Sequence, residues 1–251
     1  ASLCDKSKIL IETVVKYGLY DYPPVGLDLI KDISNKNEVD SLEIFTLNHD
    51  TLIEKLLDDN DIFYCDGFSN PDGEVRWYNP SLYDKFSKTN IYHLHGSKNW
   101  SWVRTEEMDH YAIIIGNDKW HTKRADGTDV MLLFDKGNLL TGANKSVQYI
   151  FGIFGELFYR FFTKLRNTDR LVISGYGWND FAINKKLFEW LNLNKKAKIF
   201  LIHKNVDDLI NNSRYLNATY FLDLIKSNKI IVSKKWFEQA TMDEILEFYS
   251  A

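Results

Sequence analysis

RLVISGYGWNDFAINKKLFEWL, residues 170–191, is the stretch on which the fold turns. Arg170 to Ser174 is short, largely apolar and rich in β-branched residues, as a strand in a parallel sheet requires. Gly175 and Gly177 mark a tight turn, and from Phe181 to Leu191 apolar residues recur at helical spacing. Downstream, AKIFLIHK (197–204) reads as another strand and NVDDLINNSRYL (205–216) as a helix. KIIV (229–232) reads as a last strand and TMDEILEFYS (241–250) as a short amphipathic helix. Strand, helix, strand, helix, strand in that order predicts a parallel sheet flanked by helices.

The same grammar extends upstream. VQYIFGIFGELFYRFFTKL (147–165) is the most apolar stretch, but Glu156 and Arg160 interrupt it, which predicts a buried helix and no membrane span. Leu42 to Leu47 reads as a strand feeding a helix over Thr51 to Leu57; TNIYHLHG (89–96), YAIIIG (111–116) and VMLLF (130–134) read as further strands. Near the start, KILIETVVKYG (8–18) and PPVGLDLIKDI (23–33) read as helices, the second entered through a proline turn. No linker rich in Pro, Gly or Ser divides the chain and no internal repeat is visible. The expectation is one α/β domain over residues 1–251. Its sheet is Rossmann-like, doubly wound and mostly parallel, with helices on both faces and an irregular insertion at about 60–145.

Composition narrows the classes. With 45% hydrophobic and 26% charged residues, the 251-residue chain can bury a core without staples. The formal net charge of −4 comes with no basic tract, so direct nucleic-acid binding is not expected. Cys4 and Cys65 are isolated, which excludes a zinc ribbon and fits a reducing cytoplasm. Nothing at the start, ASLCDKSKIL, reads as a signal peptide. Aromatics reach 15%, and several, such as Trp100 and Trp102, suit either core packing or stacking on flat ligand rings.

Three strand ends carry polar groups, which is where ligands bind in an open α/β sheet. The first is Asn48-His49-Asp50. Asp50 suits a helix cap, and equally a carboxylate that receives an amide-bearing ligand. The second is His93-Leu94-His95-Gly96-Ser97. Alternation along a strand puts His93 and His95 on one side. No third ligand cluster accompanies them, so no metal is expected, and His93 suits a satisfied core histidine. His95 precedes Gly96, where a ligand can approach the backbone closely, and is a candidate for proton transfer at neutral pH. The third is Gly175-Tyr176-Gly177, where glycines let a phosphate near a helix N-terminus. The dinucleotide fingerprint is incomplete there, because Asp180 stands where a third glycine belongs. Asp180 also suits an N-cap and Asn184 a surface helix position. His203, at the tip of the next strand, suits an adenosine ribose or a solvated strand end.

In chain order, TLNHD (46–50), HLHGSKNW (93–100) and ISGYGWNDFAIN (173–184) resemble the sirtuin-like family. They are most similar to its bacterial branch that hydrolyses NAD in antiphage defence, over about residues 40–205. The resemblance implies that Asn48 and His95 break the nicotinamide–ribose bond, Asn48 placing water or the ribose hydroxyls and His95 acting as general base. It implies that Asp50 holds the nicotinamide carboxamide and that Gly175, Tyr176 and Gly177 line the phosphate and ribose side. Asp180 and Asn184 take structural or ribose-side roles, and His203 nears the adenine ribose. Thr46, Gly96 and Ser97 belong to the same motifs and count with the NAD-binding positions. The products would be nicotinamide and ADP-ribose, with NAD as substrate and no metal. A homo-oligomer, or a sensor domain or partner protein, would trigger the activity, with no membrane involved. Two departures matter. The family's N-terminal G-A-G-x-S loop is not visible, which keeps a non-catalytic NAD or ADP-ribose sensor as an alternative. The paired cysteines of deacetylating sirtuins are absent, which disfavours the third reading, a protein deacylase.

Overall fold

The computed structural model describes residues 22–85, 87–105, 109–115, 122–134, 139–141 and 145–250. The helix expected over 8–18 lies outside them. Elements follow in chain order as α1 (Asp28–Asn35), β1 (Leu42–Thr46), α2 (Leu52–Asp58), β2 (Val75–Trp77), β3 (Thr89–His93), β4 (Trp100–Arg104) and β5 (Asp109–Ile114). Next come β6 (Thr122–Lys123), β7 (Asp129–Phe134), α3 (Lys145–Gln148), α4 (Gly152–Arg166), β8 (Arg170–Ser174), α5 (Phe181–Leu193) and β9 (Lys198–Ile202). The chain ends with α6 (Val206–Asn212), α7 (Ala218–Lys226), β10 (Ile230–Ser233) and α8 (Met242–Ser250). Among the described residues no helix is long and apolar enough to cross a membrane.

The fold is mixed α/β, and the expected single, mostly parallel sheet needs correcting. Hydrogen bonding among the described strands gives three sheets: β1-β3, β10-β9-β8, and β2-β5-β4-β7-β6. The first two are parallel throughout. The five-stranded one is antiparallel in every pair. It occupies most of the stretch expected to be irregular. Its strands alternate, so one face buries Val75, Val103, Ala112 and Val130 while Trp77, Ile114 and Leu132 pack around them. Two of its pairings, Val75 with Ile114 and Val103 with Leu132, join residues distant in sequence, and strands β6 and β2 are only two and three residues long. The apolar stretch 147–165 also differs from expectation, because the helix breaks at Tyr149–Phe151 between α3 and α4.

The described residues fall into two compact units: 22–24 with 34–157, and 25–33 with 158–250. In the first, β1 and β3 run parallel in a register that sets Thr46 opposite His93. Phe45 stacks on Tyr92, with ring centroids 4.5 Å apart, and all five residues of β3 are buried. In the second, β9 is the central strand, and Ile199 to Ile202 are all buried, as a strand covered on both faces should be. Leu29 of α1 and Ile245 and Phe248 of α8 pack on Phe200 and Ile202. Removing water from these apolar groups is the main stabilising term, worth about 1.5–3 kcal/mol per fully buried large side chain.

Candidate active site

Parallel pairing of β1 and β3 brings their carboxyl ends together, and the loops leaving them are stitched by hydrogen bonds. The Leu94 amide donates to the Thr46 carbonyl at 3.0 Å and the Lys98 amide to the His49 carbonyl at 2.8 Å. Imidazole Nδ1 of His93 meets the Asn48 carbonyl at 3.2 Å, and Nδ1 of His49 meets the Gly96 carbonyl at 3.1 Å. Gly96 sits at φ +80°, a backbone region that costs a side-chain-bearing residue about 1–2 kcal/mol. Thr46, Asn48, His49, Asp50, His93, His95, Gly96 and Ser97 thus share one strand-end cluster.

Asn48 is held by its backbone and free at its side chain. Its amide donates to Thr46 Oγ1 at 3.1 Å while its carbonyl is fixed by His93. The carboxamide itself is exposed and makes no hydrogen bond among the described residues. Asp50 Oδ1 accepts from the Leu52 amide at 3.2 Å and so closes the start of α2, where Thr51 offers no side-chain cap. Its second oxygen is unbonded among the described residues, so capping leaves half the carboxylate available. Gly96 and Ser97 are buried, and Ser97 Oγ faces the His49 carbonyl at 3.5 Å.

The three histidines differ in protonation because their surroundings differ. Both nitrogens of His93 face oxygen: Nδ1 the Asn48 carbonyl, Nε2 the Glu54 carboxylate at 2.5 Å. Two acceptors call for two N–H donors, which is the imidazolium form. Burial opposes that charge, but Glu54 outweighs it and raises the His93 pKa. His95, only 5% exposed, meets Tyr149 Oη through Nε2 at 2.7 Å and Lys145 Nζ through Nδ1 at 3.4 Å. An ammonium can only donate, so Nδ1 of His95 accepts and Nε2 carries the proton toward the tyrosine. For His49 the order reverses. Nδ1–H donates to a carbonyl and Nε2 is the bare nitrogen; burial lowers the pKa against the Gly96 hydrogen bond, with the cations Lys145 and His93 adding to the lowering.

Tyr149 and Lys145 escaped the sequence reading. Both lie 50 or more positions from His95. The only signal was a polar hydroxyl inside an apolar helical run; Tyr149 is buried while its neighbours Ile150 and Phe151 are exposed.

The second unit holds the remaining predicted positions. After β8, Gly175 is exposed at φ +65° with nothing within 4 Å of where a Cβ would stand. Gly177 is also exposed, and its carbonyl accepts from Ser213 Oγ at 2.9 Å. Tyr176 donates its hydroxyl to Asn184 Oδ1 at 2.7 Å, and burial keeps that phenol protonated far above its usual range. Asn184 is 2% exposed and donates to the Trp178 carbonyl at 2.8 Å, so it braces the turn from inside and is no surface residue. Asp180 caps α5, accepting from the Ala182 and Ile183 amides at 3.0 and 3.1 Å. His203, half-buried after β9, accepts the Asn205 amide at Nδ1 and therefore presents Nε2–H. Among the described residues no group of three His, Cys, Asp or Glu side chains stands together as a metal site.

Polar side chains gathered at the carboxyl tips of parallel strands, with one free amide and several histidines, stand where α/β proteins bind ligands. The family is settled by similarity: the SIR2-like domain matches residues 42–225, and the chain belongs to that family. Comparison with curated proteins gave no match. The SIR2-like family uses NAD, so membership implies NAD binding and is consistent with an NAD-dependent enzyme.

Proposed function

We propose that the chain hydrolyses NAD to nicotinamide and ADP-ribose, as a triggered cytoplasmic effector of bacterial antiphage defence whose trigger is self-assembly or a sensor partner. The observation that supports this best is Asn48: its backbone is clamped on both sides, and its exposed carboxamide makes no hydrogen bond among the described residues. The nicotinamide–ribose bond breaks through a cation-like sugar, and its electron pair neutralises the pyridinium nitrogen. Asn48 positions water or the 2′ and 3′ hydroxyls, and Asp50 holds the nicotinamide carboxamide through its open oxygen. His95 is the general base. Thr46, Gly96 and Ser97 shape the wall through the stitched loops. Gly175, Tyr176, Gly177 and His203 serve the phosphates and the adenosine end, with Asp180 and Asn184 supporting that turn.

A second reading, an NAD or ADP-ribose sensor without turnover, draws support from His95, whose two nitrogens are both engaged by Lys145 and Tyr149. Incubation of the protein with NAD separates the two. Hydrolysis predicts free nicotinamide and ADP-ribose in equal amounts, growing with time. Saturable NAD binding with no nicotinamide released would replace the hydrolase by the sensor.

A further inference from the structure

His49 lies between Asn48 and Asp50 and has no role in the motifs that mark the family, yet its geometry is that of a base. Its ring is half-buried and 6.2 Å from that of His95, centroid to centroid. The Gly96 carbonyl, 3.1 Å from Nδ1, fixes the proton on that nitrogen. Nε2 therefore carries a lone pair, and no hydrogen bond occupies it among the described residues. His95 is arranged the opposite way. Its Nδ1 lone pair faces the Lys145 ammonium and its Nε2–H is given to Tyr149, so it has no open lone pair until one partner moves.

We infer that His49 Nε2 accepts the proton of the attacking water, leaving His95 to act on the ribose hydroxyls. This rests on the hydrolase reading. In the step, the water oxygen bonds to C1′ as the bond from C1′ to the pyridinium nitrogen breaks. The pair from that bond stays on nitrogen to give neutral nicotinamide. The water proton passes to His49 Nε2, and from the imidazolium to solvent, so the balance closes on nicotinamide, ADP-ribose and one proton. The charged groups facing the ring are His93 and Lys145, both cationic, with the neutral His95 beside them. The two cations oppose protonation of His49 alongside burial and outweigh the Gly96 hydrogen bond, so its pKa lies below the ordinary histidine value.

The test is the pH profile of NAD cleavage by wild type, His49→Gln and His95→Gln, with the His49 imidazole followed by nitrogen-15 NMR. Wild type should keep kcat below pH about 6.5, the ordinary histidine value, before an acid limb appears. His49→Gln should lower kcat by about 10²–10⁴-fold with little change in KM and remove that limb. The NMR spectrum should show a neutral His49 with the proton on Nδ1. Turnover by His49→Gln within a few-fold of wild type, or a His49 protonated on Nε2 at neutral pH, would overturn the inference while leaving the hydrolase reading intact. A wild type that releases no nicotinamide would overturn both. Unchanged urea midpoints for the two variants exclude loss of fold as the cause.

Discussion

His95→Ala lowers NAD turnover by about 10²–10⁴-fold, the usual worth of a positioned general base, while ADP-ribose binding stays within a few-fold of wild type. The expectation follows from where the side chain sits. His95 is 5% exposed, on the loop that β3 delivers to the Asn48 strand end, and Tyr149 and Lys145 fix its ring from two sides. Alanine removes the imidazole and leaves the backbone ties, including the Leu140 amide on the His95 carbonyl at 2.8 Å. The variant should therefore fold, and its deficit should appear in kcat. Initial rates of nicotinamide release at saturating NAD decide it, and a variant retaining full turnover would remove His95 from the chemistry.

The second large effect is on stability. Glu54→Ala is expected to cost about 3–5 kcal/mol, because it strands the buried His93 without its counter-charge. Glu54 and His93 are 8% and 3% exposed, and one glutamate oxygen already lacks a hydrogen-bond partner among the described residues. The pair also holds the Asn48 carbonyl through His93 Nδ1, so the substitution should loosen the site along with the fold. The pH dependence has a definite sign. The folded His93 pKa lies above its unfolded value of about 6.5, so the contribution is complete below that pH and is lost as pH rises through the folded pKa. Urea titrations at pH 6 and pH 9 should show the wild type weaker at the higher pH and Glu54→Ala with a flatter profile. A Glu54→Ala cost below about 1 kcal/mol, the worth of a surface pair, would contradict the buried-pair account.

Much of this was legible in the sequence, and the failures have physical reasons. The strand tips at 48–50, 95–97 and 175–177 could be read because buried parallel strands announce themselves as short apolar runs that end in polar residues and glycine. Their pairing across 47 positions, Leu42 with Thr89, could not be read locally. The antiparallel sheet was missed for a related reason. Strands β5 and β7 were read from YAIIIG and VMLLF, but β2 and β6 span only three and two residues and carry too little alternation to stand out, and the pairing of Val75 with Ile114 is not local. Helix α7 is a different miss. Asn217 accepts from the Tyr220 amide and Phe221 and Leu224 are buried at helical spacing, so cap and period were both present in the sequence. Tyr149 was hidden by reading 147–165 as one helix, since only the break at 149–151 turns that side chain toward His95. The protonation of the three histidines was beyond the sequence altogether. It depends on which nitrogen meets a carbonyl, a carboxylate or an ammonium, and such contacts exist only once the loops are stitched.

Nicotinamide release from NAD by wild type and Asn48→Ala, compared at matched ADP-ribose affinity, tests the central claim most directly. The amide of Asn48 is exposed and its backbone bonds survive the substitution, so fold and nucleotide binding should persist. The account predicts a steady release of nicotinamide by wild type and a rate about 10²-fold lower or less in Asn48→Ala, as loss of a positioning group in the transition state implies. Equal rates from the two proteins would contradict it.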